Sequence, residues 1–291
     1  MFCIFNQSGM RLLFRVRNMS VEDFAFAIDL TNQMDWDLTD ADFEFMLKIE
    51  PGGSFVLLDD SERIGIATTV SFSPMGWFGN LIIQKNRRKE GAGSMLVKHA
   101  LKYLQAKKVR TVGLYAYPDA VSFYSKLGFK YDSDFVVLRG TGFSSSVIVD
   151  VIKARRSDLE KILEFDRGCF GGNRRKVLEP ILTDSVNSNY VVFLDDHLVG
   201  FVSASVYGKA SELGPLVCSQ GQNEIAINLI DAALNNLEGY EVSLCIGEKE
   251  TSIIDELMEH GFSKSFKVSR MFFGSAVTKD CIYAAESLER G

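Results

Sequence analysis

The sequence predicts an α/β protein assembled from two copies of one unit, on three observations. Apolar and β-branched runs of strand length alternate with segments whose apolar residues recur at helical spacing. Short motifs also recur in the same order at nearly one offset. LGF at residues 127–129 returns as HGF at 260–262, 133 residues on, and RIGIATTVSF returns as LVGFVSASVY, with Gly65 matched by Gly200, 135 residues on. Asp23, which follows a strand and opens a helix, is matched by Asp158 at the same 135-residue offset. Shared order at a fixed period marks a tandem duplication. The third observation is a glycine-bearing junction, RRKEGAGSML at residues 87–96, between an apolar strand and a helix.

In the first copy, residues 11–139, strands are expected at 11–18, 54–59, 63–72, 77–84, 110–116 and 129–139, where apolar residues alternate or run on, as in ATTVSF. Helices are expected at 20–33, opened by Ser20 and Asp23, and at 39–50, 91–107 and 118–127. In the helix after Gly93, the residues Leu96, Val97, Ala100, Leu101 and Leu104 fall on one face and read as core. GTGFSSS gives a small-residue linker at 140–146, and the second copy repeats the order over 147–274. The tail, 275–291, ends in CIYAAESLERG, which reads as an added edge strand or as an unpaired extension. Met10, just before the first strand, is a candidate start of the native chain.

Composition narrows the function. With 291 residues, 46% of them apolar, the chain can bury two ordinary cores. A net charge of -6 argues against a general nucleic-acid binder, whose affinity needs a Lys/Arg excess. The five cysteines are scattered and never in C-x-x-C spacing, so neither a disulfide framework nor a zinc site is expected, and a reducing cytoplasm fits. His99, His197 and His260 stand apart from one another, His99 reads as a surface residue, and no metal is expected. No apolar run reaches the length of a membrane span, and MFCIFNQSGM lacks the charged region and cleavage site of a secretory signal.

A strand that enters a helix through glycines leaves several backbone amides aimed at one place, which suits a phosphate. The junction lacks the Lys-Ser/Thr ending of a P-loop, and Leu96 stands where a dinucleotide fingerprint needs its third small residue. What remains, Arg88-x-x-Gly91-x-Gly93 after a strand, resembles the acetyl-CoA pyrophosphate loop of the GNAT superfamily of N-acetyltransferases. YPDAVSFYSKLGF, residues 117–129, resembles that family's last helix motif, and DWDLTDADFEF resembles the segment between the first helices of a bacterial and archaeal subfamily with two such domains. Asp35 stands where that subfamily usually has Gly, and Lys89 where the family often has Gly.

The resemblance implies a mixed sheet, in two copies, that opens between its fourth and fifth strands. It also implies acetyl-CoA as the cofactor. Arg87, Arg88 and Lys89 would offer charge to the diphosphate, and the amides of Lys89, Glu90, Gly91, Ala92, Gly93 and Ser94 neutral donors. The main chain at Ile82 and Ile83 would pair with the pantetheine amides, and Tyr117 and Tyr124 would complete the cofactor site. Tyr124 would protonate the departing thiolate. Residues 20–50 hold nine acids against Lys48 alone, a bias suited to a small cationic primary amine as acceptor. The fourth strand, GWFGNLIIQ, offers no carboxylate, so Asp35 or Asp37, acting through water, is the candidate base. The second copy keeps Gly221 but has no arginine in GPLVCSQGQNEIA, and Leu257 stands at the Tyr124 position, so it reads as a fold retained without the chemistry. Two rivals remain open: a ligand-binding sensor without turnover, and a protein or peptide N-acetyltransferase.

Overall fold

The computed structural model describes residues 4–5, 11–12, 14–144, 150–275 and 281–291. Met10 and the last residues of the predicted linker, Ser145 and Ser146, lie outside the described residues. Two compact units emerge, Met1–Val112 with Arg290, and Gly113–Glu289 with Gly291.

In the first unit a short antiparallel ribbon, β1 (Ile4–Phe5) and β2 (Arg11–Leu12), precedes β3 (Phe14–Asn18). Then come α1 (Phe24–Asn32), α2 (Asp40–Ile49), β4 (Ser54–Asp59), β5 (Glu62–Phe72), β6 (Met75–Ile83) and α3 (Ala92–Ala106). The strands pair antiparallel in the order β3-β4-β5-β6. Both faces of β4 are covered, which is why SFVLLD reads as an unbroken apolar run. Val56 and Leu58 join Phe24, Ala27, Leu30 and Phe43 of α1 and α2. Phe55, facing the other way, meets His99 and Tyr103 of α3 edge-on at 4.7 and 5.5 Å. His99 is therefore half-buried rather than a surface residue, and burial, with the Lys102 charge, lowers its pKa.

Asp23 fixes the entry to α1. Its buried carboxylate accepts a bidentate pair from Arg17 at 2.6 and 2.7 Å, Arg63 Nε at 2.7 Å and the Ser20 amide at 2.9 Å. Burial works to raise its pKa, but the bonds from Arg17, Ser20 and Arg63 outweigh it and hold the carboxyl well below the usual range. Its counterpart Asp158 accepts the Arg155 amide in the same way at 2.8 Å, so the helix start is duplicated while the buried ion pair is not.

The second unit holds β7 (Thr111–Ala116) from Gly113 onward, α4 (Val121–Lys126), β8 (Lys130–Thr141), β9 (Ile152–Lys153), α5 (Leu159–Phe170), α6 (Arg175–Thr183), β10 (Ser188–Leu194) and β11 (His197–Tyr207). It ends with β12 (Ala210–Ser219), α7 (Asn223–Asn235), β13 (Glu241–Gly247), α8 (Thr251–Glu259), β14 (Ser263–Phe273) and β15 (Cys281–Ala284). The strand order is β7-β14-β8-β13-β15-β12-β11-β10-β9. Leu229, Ile230 and Ala233 of α7 pack with Val202, Leu216 and Leu244 on one face, while Ile162 and Leu178 of α5 and α6 pack with Val191, Phe201 and Val217 on the other.

Three features depart from the expectations. First, the repeats exchange strands: β14, last in the second copy, lies between β7 and β8 of the first, and β8 lies between β13 and β14. β8 consequently runs to Thr141, into the segment read as linker, and Gly142 bridges to Glu238. Second, the tail supplies neither an edge strand nor an unpaired extension, since β15 is an interior strand between β12 and β13. Third, Cys169 and Cys281 form a disulfide across 112 residues, with Cα atoms 6.2 Å apart. No helix among the described residues is long and apolar enough to cross a membrane.

Asp23→Asn is expected to lower the unfolding free energy at pH 7 by about 2–3 kcal/mol, less than for a fully buried pair because Arg17 and Arg63 reach solvent. A carboxylate with a lowered folded-state pKa stabilises fully above its unfolded value, near pH ~4, and loses that contribution as pH falls toward the folded value. Urea unfolding at pH 7 and pH 3.5 checks both statements: the gap between wild type and variant should narrow at the lower pH.

Candidate functional site

The strand-to-helix junction of the first unit begins at the end of β6. Asn80 has a left-handed backbone, φ 50°, and the pairing with β5 slips there: Thr68 faces Gly79 and Ile66 faces Ile82, leaving Asn80 and Leu81 opposite Ala67. This bulge re-aims the main chain just ahead of the junction. The Gly-Asn pair interrupting GWFGNLII is the sequence signal of this bulge. Beyond the bulge, Ile82 and Ile83 are buried and pair with Ile66 and Gly65.

The three cations at 87–89 divide into different roles. Arg87 turns inward: it hydrogen-bonds Asp59 and, at 3.1 Å, Glu90, and forms an ion pair with Glu62 at 3.5 Å, bracing the loop on the β4–β5 hairpin. Partial burial opposes its charge, but the bonds to Asp59 and Glu90 prevail and raise its pKa. Arg87 and Glu90, both expected at the cofactor, are thus engaged with each other. Arg88 gives Nε to the Ile83 carbonyl at 3.0 Å, tying the loop to the end of β6, while its side chain stays exposed. Lys89 is exposed and left-handed, φ 67°, which accounts for glycine being common there. Gly91 is left-handed too, φ 85°, and the first bond of α3 runs from the Met95 amide to its carbonyl at 3.0 Å. The amides of Ala92, Gly93 and Ser94 precede that bond and sit at the positive end of a fifteen-residue helix. A left-handed turn, helix-terminal amides and two exposed cations together suit a diphosphate.

Between α1 and α2, Met34, Trp36 and Leu38 pack inward on the helices, and Asp35 and Asp37 alternate outward, exposed. Both aspartates are left-handed, φ 56° and 52°, a conformation that glycine takes freely and Asp tolerates. Of the nine acids in residues 20–50, Asp23 pairs with arginines, Asp42 caps α2 through the Thr39 amide, and Glu50 receives Tyr103, Lys107 and the Ser71 amide. Glu22, Asp29, Asp35, Asp37, Asp40 and Glu44 remain exposed.

In the second unit Tyr124 lies near the end of α4, 8% exposed, with its ring edge-on to Phe123 and Phe129 at 5.0 and 5.7 Å. Burial raises its pKa far above neutrality, so the phenol keeps its proton. The Leu127 and Phe129 amides close the helix on the Tyr124 carbonyl through left-handed Gly128. Tyr117, expected at the cofactor, lies tilted against Phe266 of β14 with ring centroids 5.4 Å apart.

The second copy repeats this backbone with other chemistry. Gly221 is left-handed, φ 80°, and α7 begins with the Ala226 amide bonded to Gln222. The cations are replaced by Gln220, Gln222 and Asn223, and Leu257, 2% exposed, fills core at the Tyr124 position. The slip recurs between β11 and β12, where Gly214 and Pro215 face Ser203, and Pro215 brings no amide hydrogen.

Comparison with known proteins follows these two repeats. Residues 16–129 match the Acetyltransferase (GNAT) family, and residues 162–283 match an Acetyltransferase (GNAT) domain. Among curated proteins, the chain is 24% identical over 277 residues to holothin acyltransferase of Pseudoalteromonas sp., spanning 94% of this chain and 92% of the relative. It is 22% identical to the uncharacterized N-acetyltransferase YitH of Bacillus subtilis, over 69% and 71%. Its fold is similar to that of a Pyrococcus horikoshii protein named as an acetyltransferase, with TM-score 0.80, 20% identity and 96% of each chain covered. A tandem GNAT protein from the clavulanic acid biosynthesis pathway also aligns, with TM-score 0.61, 12% identity, and 91% and 100% covered.

The different roles of the loop cations have opposite consequences for stability. Lys89→Gly is expected to raise the unfolding free energy by about 0.5–1 kcal/mol by relieving the left-handed backbone. Arg87→Ala should lower it by about 1–2 kcal/mol through the lost brace. Thermal denaturation of the two variants checks both signs.

Proposed function

The chain belongs to the GNAT acetyltransferases and carries two such domains in tandem, and on that premise we propose that the first repeat transfers acetyl from acetyl-CoA to a small cationic primary amine. The observation that carries this reading is the junction itself: left-handed Lys89 and Gly91, the α3 amides, and the exposed Arg88 and Lys89. Acetyl-CoA supplies an activated acyl group that an amine can attack with loss of the thiol. The Ala92, Gly93 and Ser94 amides, with Arg88 and Lys89, hold its diphosphate. Tyr124, kept protonated by burial, donates its proton to sulfur as negative charge develops there.

Asp35 or Asp37 takes the proton of the acceptor amine through water, and the exposed acids around them favour a cation. Transfer is direct, without an acyl-enzyme. Among the described residues, the cysteines outside the disulfide are Cys218 and Cys245. Burial pushes the Cys218 thiol up to about 12 and the Cys245 thiol higher still, so neither supplies a thiolate near neutral pH.

Steady-state release of free thiol with a panel of amines tests the reading. Tyr124→Phe should lower kcat about 10- to 100-fold and leave the KM for acetyl-CoA within about twofold. Arg88→Ala should raise that KM about tenfold with kcat at saturation nearly unchanged. Small dicationic amines should turn over faster than neutral amines or peptides, and Asp35→Asn/Asp37→Asn should raise the KM for the dications. Faster turnover of peptides would favour a protein N-acetyltransferase, and absence of thiol release with every acceptor would favour a sensor.

A further inference from the structure

β12 and β13 start as parallel neighbours and then part. Ala210, Ser211 and Glu212 face Glu241, Val242 and Ser243, and past those residues the backbone edges of both strands need another partner. The chain's own tail provides one. Leu216, Val217, Cys218 and Ser219 pair antiparallel with Ala284, Tyr283, Ile282 and Cys281, Ile246 pairs with Ala284, and the Ala285 amide bonds the Cys245 carbonyl at 2.8 Å. Ile282 and Ala284 enter the core below α7 and α8, and Cys281 that below α5 and α6, as an interior strand requires.

Three devices seat this segment. A Cβ on Gly214 would lie 1.9 Å from the Ala285 carbonyl oxygen, so the glycine at the bulge is what admits the tail. Arg174, buried and bidentate to Asp166 at 3.1 and 2.6 Å, gives Nη1 to the Tyr283 hydroxyl at 3.0 Å and to the Gly291 oxygen. The Cys169–Cys281 disulfide joins α5 to the first residue of the strand. Only the last of these is covalent, and it lies where the strand begins.

We propose that residues 281–291 are an internal ligand of the second repeat, filling the wedge between β12 and β13, and that the Cys169–Cys281 bond is the latch that keeps them there. The proposal stands apart from any role of CoA. A dithiol opens the latch by thiol–disulfide exchange: its thiolate attacks one sulfur, the Cys169–Cys281 bond breaks, and its second thiol closes the reagent to a disulfide, leaving two cysteine thiols. Two electrons pass from the dithiol to the protein. While the bond is intact Cys281 cannot leave α5, so tail amides exchange only with a wider opening; once it is reduced the strand can depart alone.

Amide hydrogen exchange of the full chain, read by mass spectrometry, tests this, with the oxidised state verified by two alkyl groups taken up only after dithiothreitol. Peptides covering 281–291 should exchange at least about tenfold faster after reduction while those of α3 stay unchanged. Cys281→Ser without reductant should match reduced wild type; if that variant does not fold, the wild-type comparison decides. Equal tail exchange before and after reduction, equal acceleration in α3, or thiols already free in air-oxidised protein would each overturn the proposal.

Discussion

The exchange of β8 and β14 is the constraint on which the second unit depends. β8 completes its pairing only between β13 and β14, and β14 only between β7 and β8. Each strand supplies backbone partners and side-chain cover to the other copy, so neither repeat has a complete set of strands within its own sequence. This gives a physical reason for keeping a second copy whose junction carries glutamines in place of the cations and Leu257 at the Tyr124 position. Strand pairing constrains the backbone and the buried faces, not the exposed loop chemistry, and the two can diverge separately.

The junctions at Gly91 and Gly221 illustrate that separation. Both glycines are left-handed and both precede a helix, α3 after Gly91 and α7 after Gly221. Around Gly91 stand Arg88 and Lys89; around Gly221 stand glutamines. The strand slips differ likewise, one holding Asn80 and Leu81 and the other Gly214 and Pro215. In the second repeat the glycine at the slip admits the tail, so the space between β12 and β13 is occupied by the chain itself.

Local features were legible in the sequence because they are set by local physics. Helical spacing of Leu96, Val97, Ala100, Leu101 and Leu104 gave a helix at 91–107, and α3 runs Ala92–Ala106 with all five buried. The duplication was legible as well, since β5 and β11 begin 135 residues apart. Long-range pairing was not. CIYA has the composition of a strand, but whether it lies at an edge or inside depends on β12 and β13 parting more than thirty residues upstream. The disulfide joins cysteines 112 residues apart, where spacing carries no signal. At the site, the glycines marked the loop, yet nothing near Arg87 announced that Asp59, across the β4–β5 hairpin, would draw it away from the cluster.

The backbone is duplicated and the residues at the two junctions are not; the proposed function assigns diphosphate binding to the Arg88 loop and leaves the second repeat to contribute strands and its own tail. Isothermal titration of acetyl-CoA into the full chain and into Arg88→Ala tests that claim most directly. One site per chain, markedly weakened in the variant, is the predicted result. Two sites per chain, or a single site indifferent to Arg88, would contradict it.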